Sequence, residues 1–161
     1  MIFVTVGTHE QQFDRLVKAV DGLVADGIIS EPVFQQIGYS NYVPTHCEYS
    51  QFVPAQKMQG LMSQASVVIT HGGPSSFVEA MVAGKAPVVV PRRAEYGEHV
   101  NDHQADFVRI VAQRIGGIVP VFDVAMLPQA IEQAREMASG EAFASHNAEF
   151  CSELTKLIER M

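Results

Sequence analysis

The 161-residue chain is 47% hydrophobic and 18% charged and carries Gly 12 and Pro 8, the make-up of one globular domain rather than a tail, a collagenous fibre or a coiled coil. A chain of this size buries roughly 69% of its surface on folding, so a core forms without disulfide or metal staples. Its 11 Lys and Arg against 18 Asp and Glu leave a net charge of −7 with no basic cluster beyond Arg92 and Arg93, which argues against nucleic acid as a partner.

In chain order, the apolar run Ile2 to Val6 ends at Gly7-Thr8 and reads as a strand followed by a loop. Phe13, Leu16, Val17, Val20, Leu23 and Val24 then recur at helical spacing. Pro32 to Ile37 and Glu48 to Val53 are the next strand candidates, and Pro54 opens a helix carrying Met58, Leu61 and Met62. Val67-Val68-Ile69-Thr70 has the β-branched character of a strand buried on both faces. After His71-Gly72-Gly73, Pro74 opens a helix expected to bury Phe77, Val78, Met81 and Val82. Ala86 to Val90 gives another apolar strand closed by Pro91, followed by a polar loop up to Asn101 that is longer than packing requires. A helix from about Asp102 aligns Phe107, Val108 and Val111, a last strand spans Ile118 to Phe122, and Leu127 to Met137 forms another helix. Beyond Gly140, the segment 141–161 places Phe143, Phe150, Leu154, Leu157 and Ile158 near one stripe, predicting a terminal helix that docks on this domain or on a partner.

Strands alternating with helices predict an α/β fold: one doubly wound, Rossmann-like parallel sheet over residues 1–161, with its ligand beyond the carboxyl ends of the strands. Cys47 and Cys151 form no C-x-x-C pair, so a reducing cytosol fits. The apolar amino terminus meets Gly7 too soon for a signal peptide, and no run approaches the roughly 20 apolar residues of a membrane span.

Neither G-x-x-x-x-G-K-[ST] nor G-x-G-x-x-G occurs, and there is no Asp-x-Asp of the kind that holds a sugar-nucleotide diphosphate through a divalent metal. An anion is therefore expected to be held by backbone and side chains, with no metal. The unit Val67 to Val82 offers such a place: two glycines permit close approach, and Ser75 and Ser76 sit in the first turn of a helix whose free N–H groups and dipole favour negative charge. A plain turn with Ser75 or Ser76 as helix cap stays open beside it. Glu79, one turn after Ser75, can reach a vicinal diol or be a solvated surface residue. The stretch Pro91 to Ala105 brings Arg92, Arg93, His99, Asn101, His103 and Gln104 to the same edge, where His99 and His103 have the spacing of zinc ligands or are simply exposed beside a capping Asn101 or Asp102.

Residues Ile69 to Ala80, Ala83 to Arg93 and His99 to Gln104, with Val4 to His9 and Phe13 to Leu16, resemble the donor-binding half of family 28 glycosyltransferases. The likeness extends to bacterial exopolysaccharide subunits of the PssE/EpsF type and to the catalytic subunit of the two-component dolichol-linked GlcNAc transferase. The resemblance implies a single donor-binding half of a GT-B enzyme that uses a UDP-sugar as donor substrate and no cofactor. By that likeness Glu79 holds the ribose hydroxyls, Gly7 and Thr8 form the first donor loop, and His71, Gly72, Gly73, Ser75 and Ser76 form the diphosphate loop. Arg92 is a further donor contact, His103 and Gln104 lie near sugar and diphosphate, and Phe52 and Val53 fall near the uracil. The spacing from Phe52-Val53 to Val67 differs from the family's by about two residues, and Ala86 interrupts its more usual Gly-Lys-Pro.

Single-chain members also have an amino-terminal half carrying acceptor and membrane contacts, so the likeness implies a separate membrane-associated, acceptor-binding subunit. That partner would hold this chain at the inner face of the membrane, beside a lipid-linked sugar acceptor; a homo-oligomer in isolation is also open. His9, on the first donor loop, is the candidate general base for an inverting transfer, unless the partner carries the base. The competing expectations are a non-catalytic donor-binding enhancer subunit and a UDP-sugar epimerase.

Overall fold

The computed structural model describes residues 1–139 and 141–160, with the side chains of 141–147 left aside. Its strands are β1 (Ile2–Thr5), β2 (Val33–Gln36), β3 (Glu48–Ser50), β4 (Val67–His71), β5 (Val88–Val90) and β6 (Val119–Pro120). Helices α1 (Asp14–Ala25), α2 (Ala55–Gln64), α3 (Pro74–Val82), α4 (His103–Arg114), α5 (Leu127–Ser139) and α6 (Glu141–Glu159) are interleaved with them. All strands pair in parallel, in the order β3-β2-β1-β4-β5-β6.

Side chains alternate across this sheet as the pleat requires. Ile2, Val4, Val67, Ile69, Val88 and Val90 pack with Leu16, Val17 and Val20 of α1 and Leu127 and Ile131 of α5. Phe3 and Val68 turn to the other face and pack with Met62 of α2 and Ala80 of α3. Val89 joins Phe77 and Met81 of α3, Phe107, Val108 and Val111 of α4, and Leu154 of α6 on that same side. Both faces are thus covered, which is why the strands read as unbroken apolar runs rather than alternating ones.

The chain reverses its direction of winding between β1 and β4, and there the carboxyl ends of two neighbouring strands part to leave a crevice. The Gly7 loop follows one of these strands and the His71-Gly72-Gly73 turn the other.

Several element limits differ from the sequence expectation. The third strand stops at Ser50 because the chain turns there, with Ser50 Oγ donating to the Phe52 carbonyl at 2.7 Å. The last strand keeps only Val119–Pro120. The Pro91–Asn101 loop contains a short 3-10 turn, Ala94–Tyr96. On α3, Val82 is 67% exposed and Ala80 takes the buried position, because the face three and four residues from Phe77 is the one that meets the sheet. The terminal helix contacts α3 and α5, and its buried Leu154 with half-buried Phe150 and Leu157 joins the cluster of Phe77 and Met81 on α3 and Phe107 on α4. Gly140 and the Phe143 side chain lie outside the described residues. No helix among the described residues is long and apolar enough to cross a membrane.

The long β2–β3 connection is held by two carboxylates one heptad apart on α1. Asp14 accepts from the Asn41 and Tyr42 amides at 2.7 and 2.9 Å, and Asp21 accepts from Tyr42 Oη at 2.7 Å and the His46 and Thr45 amides at 2.8 and 3.1 Å. Burial pushes the Asp21 carboxyl up, but these donors outweigh it and hold the group well below the usual carboxylate range.

Candidate functional site

A groove of about 600 Å³ opens at the switch point, lined by Thr5, Gly7, Thr8, His9, Gln36, Met58, His71, Ser75, Ser76 and Gln104, with Glu10 at its rim. It sits where a doubly wound sheet places its ligand.

His71, the last residue of β4, is packed between two glycines. A Cβ on Gly73 would lie 2.2 Å from its Cε1, and one on Gly7 would lie 2.4 Å from its Nε2. Nδ1 accepts from the Gly73 amide at 3.0 Å, so the ring proton is on Nε2 and is donated to Ser76 Oγ at 3.1 Å. Accepting that bond leaves the Ser76 hydroxyl hydrogen free for a ligand.

Burial first, and then the charges of Arg92 and His9, hold His71 down at about 3. Unfolded, the imidazole takes a proton near its ordinary value of 6.5, while the folded one stays neutral to about 3. The group's contribution is therefore intact above the unfolded value and is lost as pH falls from there toward the folded one. In that window the unfolded chain carries the extra proton, and stability drops by up to roughly 1.4 kcal/mol per pH unit. Urea titrations between neutrality and pH 4 are expected to show this slope and His71→Gln to flatten it; an equal slope in both proteins would refute the assignment.

Gln104, in the first turn of α4, is oriented by the backbone. Its Oε1 accepts from the Gly72 amide at 3.2 Å and the Arg92 amide at 3.0 Å, leaving Nε2 to donate outward. The Gly72 and Gly73 amides, expected to cradle an anion directly, are thus already occupied in fixing Gln104 and His71. The donors left over are the Ser75 N–H, the hydroxyls of Ser75 and Ser76, the Gln104 carboxamide and Thr8, all at the amino end of α3 or facing it. Neither serine caps α3, whose N-cap Gly73 has no side-chain bond, so the plain-cap alternative does not hold.

Arg92 takes no place in this lining, contrary to its expected donor contact. It is fully buried, its guanidinium donating to the carbonyls of Val6 at 2.8 Å, Gln11 at 2.9 Å, Gln12 at 3.2 Å and Glu98 at 3.0 Å. Burial pushes it down to about 10, opposed by the charge of Glu98, and it remains a cation at neutral pH. Its work is to bind the Gly7 loop to the Pro91 loop. Glu98, also fully buried, receives Arg15 Nε and Nη2 at 2.9 and 3.0 Å and the Arg93 amide at 2.9 Å.

His9 borders the groove with Nε2 2.8 Å from Gln11 Oε1 and its ring stacked on His99, centroids 4.7 Å apart. The carboxamide oxygen only accepts, so His9 Nε2 donates to it, and Nδ1 has no partner among the described residues. Burial, with the neighbouring charges of His9 and Arg92, holds His99 below its ordinary value. His103 lies across Gln104, in a smaller, mainly apolar groove of about 220 Å³ with Gly72, Pro74, Phe107 and Ile158. Its amide donates to Asn101 Oδ1 at 3.0 Å, although Asn101 precedes the N-cap, Asp102, which makes no side-chain cap bond. Among the described residues no three His, Cys, Asp or Glu side chains gather as a metal site, so the zinc alternative for His99 and His103 lacks a third ligand.

Glu79 is half-buried on α3 and makes no side-chain hydrogen bond or ion pair among the described residues. Phe52 and Val53 follow β3, with Phe52 41% exposed and edge-on to Tyr39 at 5.3 Å. Sequence reasoning missed Tyr39 and Gln36. Two adjacent glutamines end β2, and nothing in their spacing says that Gln36 is buried with polar partners.

The sheet order is that of a Rossmann-like α/β domain with a groove at its switch point, and the fold matches the C-terminal half of GT-B glycosyltransferases. This fold is shared by the calicheamicin glycosyltransferase CalG4, with 17% identity over 96% of this chain and 38% of that one and a TM-score of 0.59. It is shared too by the glycotransferase of kitacinnamycin (23%, 99% and 42%, 0.60) and by Acinetobacter baumannii MurG (19%, 98% and 49%, 0.51). The chain spans less than half the length of these proteins. No curated protein matches it. The chain belongs to glycosyltransferase family 28, whose C-terminal domain matches residues 1–161.

Proposed function

We propose that this chain is the donor-binding catalytic subunit of a transferase that moves a sugar from a UDP-sugar to a lipid-diphosphate-linked acceptor in polysaccharide assembly. A membrane-associated partner subunit would supply the acceptor site and hold the chain at the inner face of the membrane. The observation that carries the reading is the set of unspent donors converging at the amino end of α3, in a groove that the fold reserves for a ligand.

As the bond from the anomeric carbon to the β-phosphate oxygen breaks, negative charge grows on UDP. Donors already aimed at that place stabilise it by a few kcal/mol each without reorganising. The helix dipole adds to them. Glu79 accepts from the ribose hydroxyls, the Phe52-Val53 segment borders the base, and His103 stands on the sugar side of Gln104. The acceptor hydroxyl attacks from the opposite face, giving inversion, and His9 Nδ1 takes its proton. Titration calorimetry with UDP tests the binding half of this reading. Glu79→Ala is expected to weaken UDP by roughly 1 to 3 kcal/mol, the worth of charge-assisted bonds lost, and unchanged affinity would count against it.

The stacking of His9 on His99 and its bond to Gln11 favour a second reading, a donor-binding enhancer subunit in which His9 only orients the nucleotide sugar. In the assembled complex, His9→Ala is expected to cut turnover by about 10²-fold or more with UDP affinity retained, as for loss of a general base. Full turnover would leave the enhancer reading standing.

A further inference from the structure

We propose that Gln36 is the positioning residue that sets the Gly7–Thr8 peptide for the donor diphosphate and ties it to the segment bordering the base. The inference rests on the donor-binding reading above. Gln36 ends β2, is 1% exposed, and lies beneath the groove rather than at its mouth. Its carboxamide has partners on both ends. Oε1 accepts from Thr5 Oγ1 at 2.6 Å, and Nε2 donates to the carbonyls of Gly7 and Gln51, each at 3.0 Å. Thr5 continues the chain of bonds by accepting from the Gly7 amide at 3.3 Å. Both polar groups of Gly7 are therefore held by two side chains from neighbouring strands.

A trans peptide points its carbonyl and its following N–H in opposite directions. Fixing the Gly7 oxygen against Gln36 thus turns the Thr8 N–H away from the sheet, where it meets no acceptor among the described residues and is left for a ligand. Gly38, at φ +53, lacks the Cβ that would lie 2.8 Å from that same Gly7 oxygen, so the backbone makes room for this carbonyl orientation. The Gln51 carbonyl is the second acceptor, and Phe52 follows it directly. One carboxamide thereby couples the phosphate side of the site to the base side. A leucine or methionine of similar volume would fill the space and orient neither.

Calorimetry of UDP binding by wild type, Gln36→Met and Gln36→Glu tests this, with the fitted stoichiometry reporting folded protein and the dissociation constant reporting the site. Gln36→Met is expected to bind with near-unit stoichiometry and at least tenfold weaker affinity. Gln36→Glu at pH 7.5 sets a carboxylate against two carbonyls and is expected to bind more weakly still. At pH 5.5 the protonated acid regains one donor, so its deficit relative to wild type at the same pH should shrink, which a merely space-filling role would not produce. In nitrogen-15 spectra the Thr8 amide of wild type should move on adding UDP. At pH 7.5, UDP binding within twofold of wild type by either folded variant, or a Thr8 resonance unmoved by UDP, overturns the positioning role alone. A wild-type chain that binds no UDP overturns the donor reading together with it.

Discussion

Replacing Glu98 with alanine is expected to destabilise the fold by about 3–5 kcal/mol, the cost of leaving a buried cation without its partner. Domains of this kind are stable by only about 5–15 kcal/mol, so the loss is a large fraction of the whole. Glu98 is fully buried and its two oxygens receive three donors, two from Arg15 and one from the Arg93 amide. Arg15 also lies over the Tyr96 ring, 4.8 Å from its centroid, and donates to the Pro91 carbonyl at 3.1 Å. Without the carboxylate, Arg15 and the fully buried Arg92 would face one another's charge with no counterion in the cluster. Urea denaturation reads the effect directly. The double variant Arg15→Met with Glu98→Leu is expected to cost much less than the two single changes added together, because it removes the charge along with its partner. Additivity, or a Glu98→Ala loss below about 1 kcal/mol, would show that solvent replaces the carboxylate.

The second large effect falls on binding. Gly73→Ala is expected to weaken UDP by roughly 10- to 100-fold, since fitting the methyl group costs on the order of 1–3 kcal/mol of overpacking at the ring that orders the loop. The added Cβ would stand 2.2 Å from His71 Cε1, and the buried ring is already packed against Gly7 on its other side. Moving it breaks both the bond from the Gly73 amide and the bond to Ser76. Gly7→Ala should be at least as severe, because its Cβ meets His71 Nε2 at 2.4 Å and its φ of +77 already disfavours any side chain. Gly72→Ala should be milder, with the closest contacts at 3.0 and 3.1 Å on the Gln104 side chain and the Pro91 Cα. UDP calorimetry on the three variants checks the order, and equal affinity for Gly73→Ala and wild type would remove His71 from the site's architecture.

Most of the scaffold was legible because it depends on local pattern. Val67 to Thr70 and Val88 to Val90 are apolar enough to demand burial on both faces, and Pro74 after two glycines marks a helix start. Ser75, Ser76, His71 and Gln104 were legible for the same reason, being polar residues at the predicted strand ends. The less local the partner, the less could be read. Arg92 suggested an anion contact, yet its four carbonyl partners come from residues 6, 11, 12 and 98, and only the folded chain brings three of those to it. The pairing of Arg15 with Glu98 spans 83 positions and leaves no trace in the spacing of either residue. Gln36 follows a second glutamine at the end of a strand, where nothing short of the pairing register with Thr5 says which carboxamide meets polar partners.

The guanidinium of Arg92 has a mechanical consequence. By bonding both ends of the β1–α1 loop and the segment before α4, it makes two connections that could otherwise shift independently into parts of one stiff plate. A push on one is felt by the other, so a ligand arriving at one side of the crevice would meet a mould already set, and adaptation to different cargo is left to side chains at its lip.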